Sequence, residues 1–131
     1  MLIELEASTI NPSDLLFIDG NYFKQPLPNP CGFEGVGKVV SAGANSKYLE
    51  GKRVCFVKMN GGAWSNFVVV TKDSVFPIDE DVPASSAASG IVNPLTVLGF
   101  VHQTKSNNRV GFIHTAAASA LGRMLNKICI K

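Results

Sequence analysis

This chain of 131 residues has few of the residues that build metal centres and disulfide frameworks. It holds two histidines, His102 and His114, and three cysteines, Cys31, Cys55 and Cys129. The cysteines are odd in number and share no short spacing, which argues against a disulfide framework and for a reducing compartment. Neither histidine sits in ligand spacing with a cysteine, and there is no four-cysteine lobe, so a zinc site of the ordinary donor set is not expected. Charge is also sparse, at 17% of residues with a formal net charge of +2. The basic residues Lys47, Lys52, Arg53, Lys58 and Lys72 are scattered, and no basic stripe points to nucleic acid or an anionic membrane surface. No apolar run reaches the length of a membrane span. The amino terminus, Met1 to Glu6, alternates apolar and charged residues like a strand and has neither the basic region nor the cleavage site of a targeting peptide. On these grounds the expected compartment is the cytoplasm or the mitochondrial matrix.

What remains is globular composition, with 46% hydrophobic residues and punctuation that changes along the chain. Residues 1–8 read as a strand. Pro12-Ser13-Asp14 opens a short helical turn through Leu15, Leu16 and Ile18, which Gly20 ends. Between Gln25 and Pro30 the prolines remove donors and fix φ, so an extended surface loop is expected there. From Gly35 to Val70 the signals are strand and turn. Val36, Val39 and Val40, then Val54–Val57, then Phe67–Val70 form three runs, punctuated by Gly43, Gly51 and Gly61-Gly62. Val75-Phe76-Pro77 closes this small all-β region. Ala84–Gly99 reads as helix interrupted by Gly90 and by Asn93-Pro94. Val110–Ile113 reads as a buried strand. Leu121, Met124, Leu125, Ile128 and Cys129 recur at helical spacing, so Ser119–Ile130 is expected to pack an apolar face on that strand. No internal repeat is present.

The segment Thr115–Gly122 then stands where a strand-to-helix turn holds nucleotide phosphates. Ala117, Ala118, Ser119, Ala120, Leu121 and Gly122 depart from a full Gly-x-Gly-x-x-Gly pattern, with Ser119 and Ala120 at glycine positions. The physics tolerates small residues: amides at a helix start point at phosphate, small side chains allow its approach, and Gly122 permits close packing.

Five segments carry a resemblance in order and spacing: Ile10-Asn11-Pro12-Ser13-Asp14, Gly20-Asn21-Tyr22, Gly32-Phe33-Glu34-Gly35-Val36-Gly37, Asn93-Pro94-Leu95-Thr96 and Ala117–Gly122. Together they resemble the medium-chain dehydrogenase/reductase superfamily. The resemblance implies a mostly β GroES-like domain over residues 1–82. After it, over residues 83–131, come a linking helix and the first β-α unit of an α/β Rossmann nucleotide-binding domain. In zinc-dependent relatives a cysteine lies where this chain has Asn11, and a histidine where it has Phe33; neither side chain present is a normal zinc ligand. The chain is most similar to the zinc-free branch of quinone oxidoreductases and mitochondrial 2-enoyl thioester reductases. Full-length members carry a strand before the position of Met1 and most of the Rossmann sheet beyond Lys131, which lies nine residues after Gly122. The residue that separates NAD from NADP falls about 20 residues further on.

The implied activity is NADPH-dependent reduction of a conjugated carbon–carbon double bond in an enone, quinone or 2-enoyl thioester. Such a reaction needs a hydride, stabilisation of developing charge on the carbonyl oxygen, and a proton for the α carbon. By resemblance Tyr22 is the catalytic hydroxyl, since a phenol can donate at neutral pH; read locally, it is a packing residue beside the proline loop. Asn11 either orients the nicotinamide or the substrate carbonyl, or caps the turn beginning at Pro12. Glu34, among the glycines of its turn, has a structural rather than an acid–base role. Asn93 and Thr96 match cofactor-facing positions; alternatively Asn93-Pro94 is a helix kink and Thr96 bonds the carbonyl of the preceding turn. The rival to the reductase is a non-catalytic remnant, serving as an interaction module or as a subunit of a homo-oligomer or larger assembly, because Val110–Ile113 would have unpaired edges.

Overall fold

The computed structural model describes residues 1–24 and 26–130. Two compact units divide the chain, Met1–Gly90 and Ile91–Lys131.

In the first unit, five antiparallel strands form one sheet: β1 (Leu2–Ser8), β2 (Glu34–Ser41), β3 (Arg53–Val57), β4 (Phe67–Val69) and β5 (Val75–Pro77), in the order β4-β1-β2-β3-β5. The alternation of β1 sets its register. Ile3 is fully buried while Glu4 and Glu6 face solvent, as period-2 side-chain placement requires. Ile3 joins Val39, Val54, Phe56, Ala63 and Val68 in the core. All three expected strand runs and the closing Val75–Pro77 segment are present. The proline-rich loop 26–30 is neither helix nor strand and largely exposed; the part of that expectation falling on Gln25 lies outside the described residues.

Between β1 and β2 runs α1 (Pro12–Ile18), with Pro12 at its first position, where a missing N–H costs nothing. Asn11 is its N-cap residue, and the Asp14 carboxylate accepts the Asn11 backbone N–H at 2.6 Å. A short α2 (Ala84–Ala87) packs on β1 and β2. Buried Arg53 donates to Glu6 Oε2 (2.8 Å) and to the carbonyls of Asp79 (3.2 Å) and Val82 (2.5 Å), tying the chain after β5 to the sheet.

The second unit is helical. It contains α3 (Val92–Ser106) and α4 (Ala120–Cys129), which pack on each other. Asn93-Pro94 does not kink the helix. Both residues lie in the first turn of α3, where a proline forfeits no intrahelical hydrogen bond. The helix runs past Gly99 to Ser106, and Asn108 follows it in the left-handed region at φ 53°.

The expectation of a buried strand at Val110–Ile113 is corrected. The segment is extended but belongs to no sheet among the described residues, and Val110 and Ile113 are almost fully exposed. Its apolar run marks a segment suited to burial, yet a strand also needs a ladder partner, and none lies beside it. Consequently α4 buries Leu125 and Gly122 against α3 and the preceding loop rather than against a strand.

Candidate functional site

The first unit gathers a polar cluster where β1 runs into α1 and β2 begins. Glu34, at the start of β2, is fully buried. Its Oε1 accepts from Thr9 Oγ1 at 3.2 Å and from Asn11 Nδ2 at 2.8 Å, and the same Nδ2 donates to Thr9 Oγ1 at 3.0 Å. The three side chains therefore form a closed triangle. Thr9 is held in turn by Trp64, whose indole Nε1 donates to the Thr9 carbonyl at 2.9 Å. Trp64 is pressed against Gly32, which adopts φ +86°; a Cβ there would overlap the indole. Gly32 thus serves both a left-handed turn and the close approach of the only tryptophan. Asp14 is also fully buried. Its Oδ2 takes the Asn11 amide, whereas Oδ1 has no hydrogen-bond partner.

Asn11 thus has both of its sequence-derived readings in part: it heads α1, and its amide is directed into the Thr9–Glu34 pair instead of to the helix amides. Thr9 and Trp64 were not singled out from sequence. A lone tryptophan following the Gly61-Gly62 pair was the one signal available for the latter.

Beside this cluster lies an aromatic group. Phe17, Phe23 and Phe33 pack with ring centroids 5.2–5.8 Å apart, and Tyr22 lies 5.0 Å from Phe23 and 5.9 Å from Phe33. Tyr22 is about half exposed, and its hydroxyl has no hydrogen-bond partner among the described residues. The packing role is therefore real, and the hydroxyl is still accessible. An open groove of 430 Å³ adjoins this group, lined by Phe17, Ile18, Phe23, Lys24, Leu27 and Cys31 among others.

In the second unit, the Thr96 hydroxyl donates to the Val92 carbonyl at 2.7 Å, as the local reading of that residue anticipated, which leaves its oxygen able only to accept. Asn93 is half-buried in the first turn of α3. Ala117, Ala118, Ser119 and Ala120 are exposed, and Leu121 is half-buried. Ser119 is the N-cap of α4: its Oγ accepts from the Gly122 amide at 3.0 Å and donates to the Ala116 carbonyl at 2.8 Å. That hydroxyl is committed to the turn. The backbone amides of Ala120 and Leu121, at the head of the helix, have no acceptor among the described residues. At Gly122 a Cβ would overlap the carbonyl of Ala116, so only glycine lets the loop lie this close to α4.

Asn11 and Tyr22 thus belong to the first unit, and Asn93, Thr96 and residues 117–122 to the second. Among the described residues there is no group of three or more His, Cys, Asp or Glu side chains placed to hold a metal ion. No helix is long and apolar enough to cross a membrane.

Residues 1–80 match the alcohol dehydrogenase GroES-like domain. The chain belongs to that family, and with it to the medium-chain dehydrogenase/reductase superfamily. Among curated relatives, it is 35% identical over 130 residues to a mitochondrial enoyl-[acyl-carrier-protein] reductase of Caenorhabditis elegans, covering 98% of this chain and 38% of the relative. The human mitochondrial enoyl-[acyl-carrier-protein] reductase is 35% identical over 141 residues, covering 96% of this chain and 38% of the relative. Among solved structures, a provisionally named NADPH:quinone reductase of Mesorhizobium loti superposes with a TM-score of 0.87 at 35% identity, over 98% of this chain and 39% of the other. The Escherichia coli quinone oxidoreductase complexed with NADPH gives 0.72 at 27% identity, over 79% and 32%. The chain therefore spans less than two fifths of the length of these relatives. The fold is accordingly that of the GroES-like domain followed by the start of the Rossmann domain.

Proposed function

We propose that this chain carries the substrate side and the first cofactor contacts of an NADPH-dependent, zinc-free reductase. Its substrate is a conjugated double bond in a 2-enoyl thioester, quinone or enone. The observation that carries this reading is the head of α4. A phosphate can be bound there by the acceptor-free amides of Ala120 and Leu121, on an exposed loop of small side chains that Gly122 holds against the helix. Relatives named as enoyl and NADPH:quinone reductases support the same choice.

The residues present suit such a cofactor. Ala117, Ala118, Ser119, Ala120, Leu121 and Gly122 would hold its phosphates, with Ser119 shaping the turn rather than donating outward. Asn93 and Thr96 from the second unit, and Asn11 from the first, would address its nicotinamide end. When bound, NADPH supplies the hydride for the β carbon of the substrate. Tyr22 supplies the complementary element: its phenol donates to the substrate carbonyl oxygen, where negative charge develops, or protonates the α carbon. The three phenylalanines fix the position of its ring, and the groove beside them excludes water from the hydrocarbon portion of the substrate. Asn11 and Phe33 stand where zinc-dependent relatives place ligands, so activation of the carbonyl falls to hydrogen bonding.

The test is NADPH oxidation with a 2-enoyl thioester, comparing the native protein with Tyr22→Phe. Loss of a general acid costs about 10²–10⁴ in rate. The expected result is a fall in kcat of at least a hundredfold with the KM for NADPH unchanged; a variant keeping nearly full kcat removes Tyr22 from the chemistry.

The exposed segment Val110–Ile113 favours a second reading, in which it pairs with another chain and the protein serves as an interaction module or subunit. Failure to bind NADPH, together with self-association that ends when Ile113 is replaced by Lys, would select that reading.

A further inference from the structure

We infer that Glu34 is a positioning residue that fixes the polarity of Asn11, so that Asn11 meets its ligand as an acceptor and reads the carboxamide N–H of a nicotinamide rather than the carbonyl of the substrate. This rests on the NADPH reading above and decides between the two roles that the sequence leaves open for Asn11.

The argument is one of donors and acceptors. An asparagine amide has two N–H donors on one atom and acceptor lone pairs on the other. Here Nδ2 donates to Glu34 Oε1 at 2.8 Å and to Thr9 Oγ1 at 3.0 Å. The Thr9 hydroxyl spends its proton on the same carboxylate, so Thr9 can only accept from Asn11. Rotating the amide by half a turn would place Oδ1 against a fully buried carboxylate and against a hydroxyl with no proton to offer. It would also leave buried groups unpaired, a cost of about 1–3 kcal/mol for each neutral group and more for a charged one. The flipped state is therefore excluded. Asn11 keeps spare capacity only at Oδ1, and an acceptor cannot bind a substrate carbonyl, which is itself an acceptor. The backbone is pinned as well, through the Asn11 N–H on Asp14 Oδ2 and the Trp64 indole on Thr9. Glu34 touches neither substrate nor cofactor; it acts through Asn11.

The test compares binding of NADPH with that of its 3-acetylpyridine analogue, in which a methyl ketone replaces the carboxamide and no N–H remains. Binding is followed by quenching of Trp64, the sole tryptophan. One hydrogen bond of about 1.4 kcal/mol corresponds to a factor of about ten in affinity. The native chain is expected to prefer NADPH by about tenfold, and Asn11→Ala to lose that preference. Glu34→Gln permits either amide orientation and should narrow the preference. In Asn11→Asp/Glu34→Gln, the introduced amide donates to the introduced carboxylate, the outward group is again an acceptor, and the preference should return. A preference unchanged in Glu34→Gln, or absent from a native chain that binds NADPH well, overturns the assignment.

A second measurement is independent of the cofactor. In the ligand-free chain, the Asn11 side-chain amide protons should exchange with solvent at least tenfold more slowly than those of exposed Asn21, and Glu34→Gln should remove most of that protection. Equal exchange in the native chain overturns the positioning role. Failure of NADPH to bind while the protection is present overturns the NADPH reading alone.

Discussion

Cys55 shows how burial of a single side chain couples this fold to pH. Its thiol lies in β3 and donates to the Ala87 carbonyl at 3.0 Å. Removal from water raises its pKa above that of an ordinary thiol, while nearby Arg53 pulls weakly the other way. A folded-state pKa above the unfolded one means that the stabilisation is complete below the unfolded value of about 8.5 and is lost as pH climbs through the folded value. Denaturant midpoints should therefore fall above about pH 9, and the alkaline fall should be smaller in Cys55→Ala. Equal slopes in the two proteins would contradict the burial argument. Gly32 offers a second residue-scale test. Gly32→Ala meets both a left-handed φ and the Trp64 ring, costs of roughly 1–2 and 1–3 kcal/mol. It should lower stability by at least about 2 kcal/mol and shift Trp64 emission, whereas a neutral substitution would show that the indole is not held there. Residues of this kind were only half legible in the sequence. The Gly32–Gly37 turn announced itself, but nothing in the spacing of positions 9, 11 and 34 reveals that their side chains close a triangle.

Elements were legible where a local rule sufficed. Pro12 marked the start of α1, the alternation of residues 1–6 marked β1, and the apolar spacing of Leu121, Leu125 and Ile128 marked α4. Val110–Ile113 was not, because an apolar run reports suitability for burial and says nothing of whether a neighbouring strand is present. Asn93-Pro94 was misplaced for a related reason: a proline signals a helix interruption or a helix start equally well, and Ile91–Pro94 proves to be the start of α3. The head of α4 supplies the test at this scale. Ser119 Oγ receives the Gly122 amide and ties back to Ala116, so Ser119→Ala should cost about 1 kcal/mol. If the phosphate site lies here, the same substitution should weaken NADPH binding by loosening the loop. A loss of stability with unchanged affinity would place the phosphates elsewhere.

At the scale of the whole molecule, two compact units carry two sets of functional residues. One is a β domain with a buried Glu34–Asn11–Thr9 cluster and an accessible tyrosine. The other is a helical unit with an acceptor-free helix head. The family could be read from five short segments taken in order, because their spacing is set by this architecture. Substrate identity could not, because the groove beside Tyr22 is built from side chains brought together by a proline loop that no periodicity describes. The measurement that bears most directly on this account is the thermal unfolding of the 131-residue chain titrated with NADPH. At a hundredfold excess over the dissociation constant, a specific ligand stabilises by about 2.7 kcal/mol, which for a domain of this size raises Tm by roughly 10 °C. The account predicts a saturable rise of that order with NADPH. A cooperative transition that stays fixed at every NADPH concentration would contradict it.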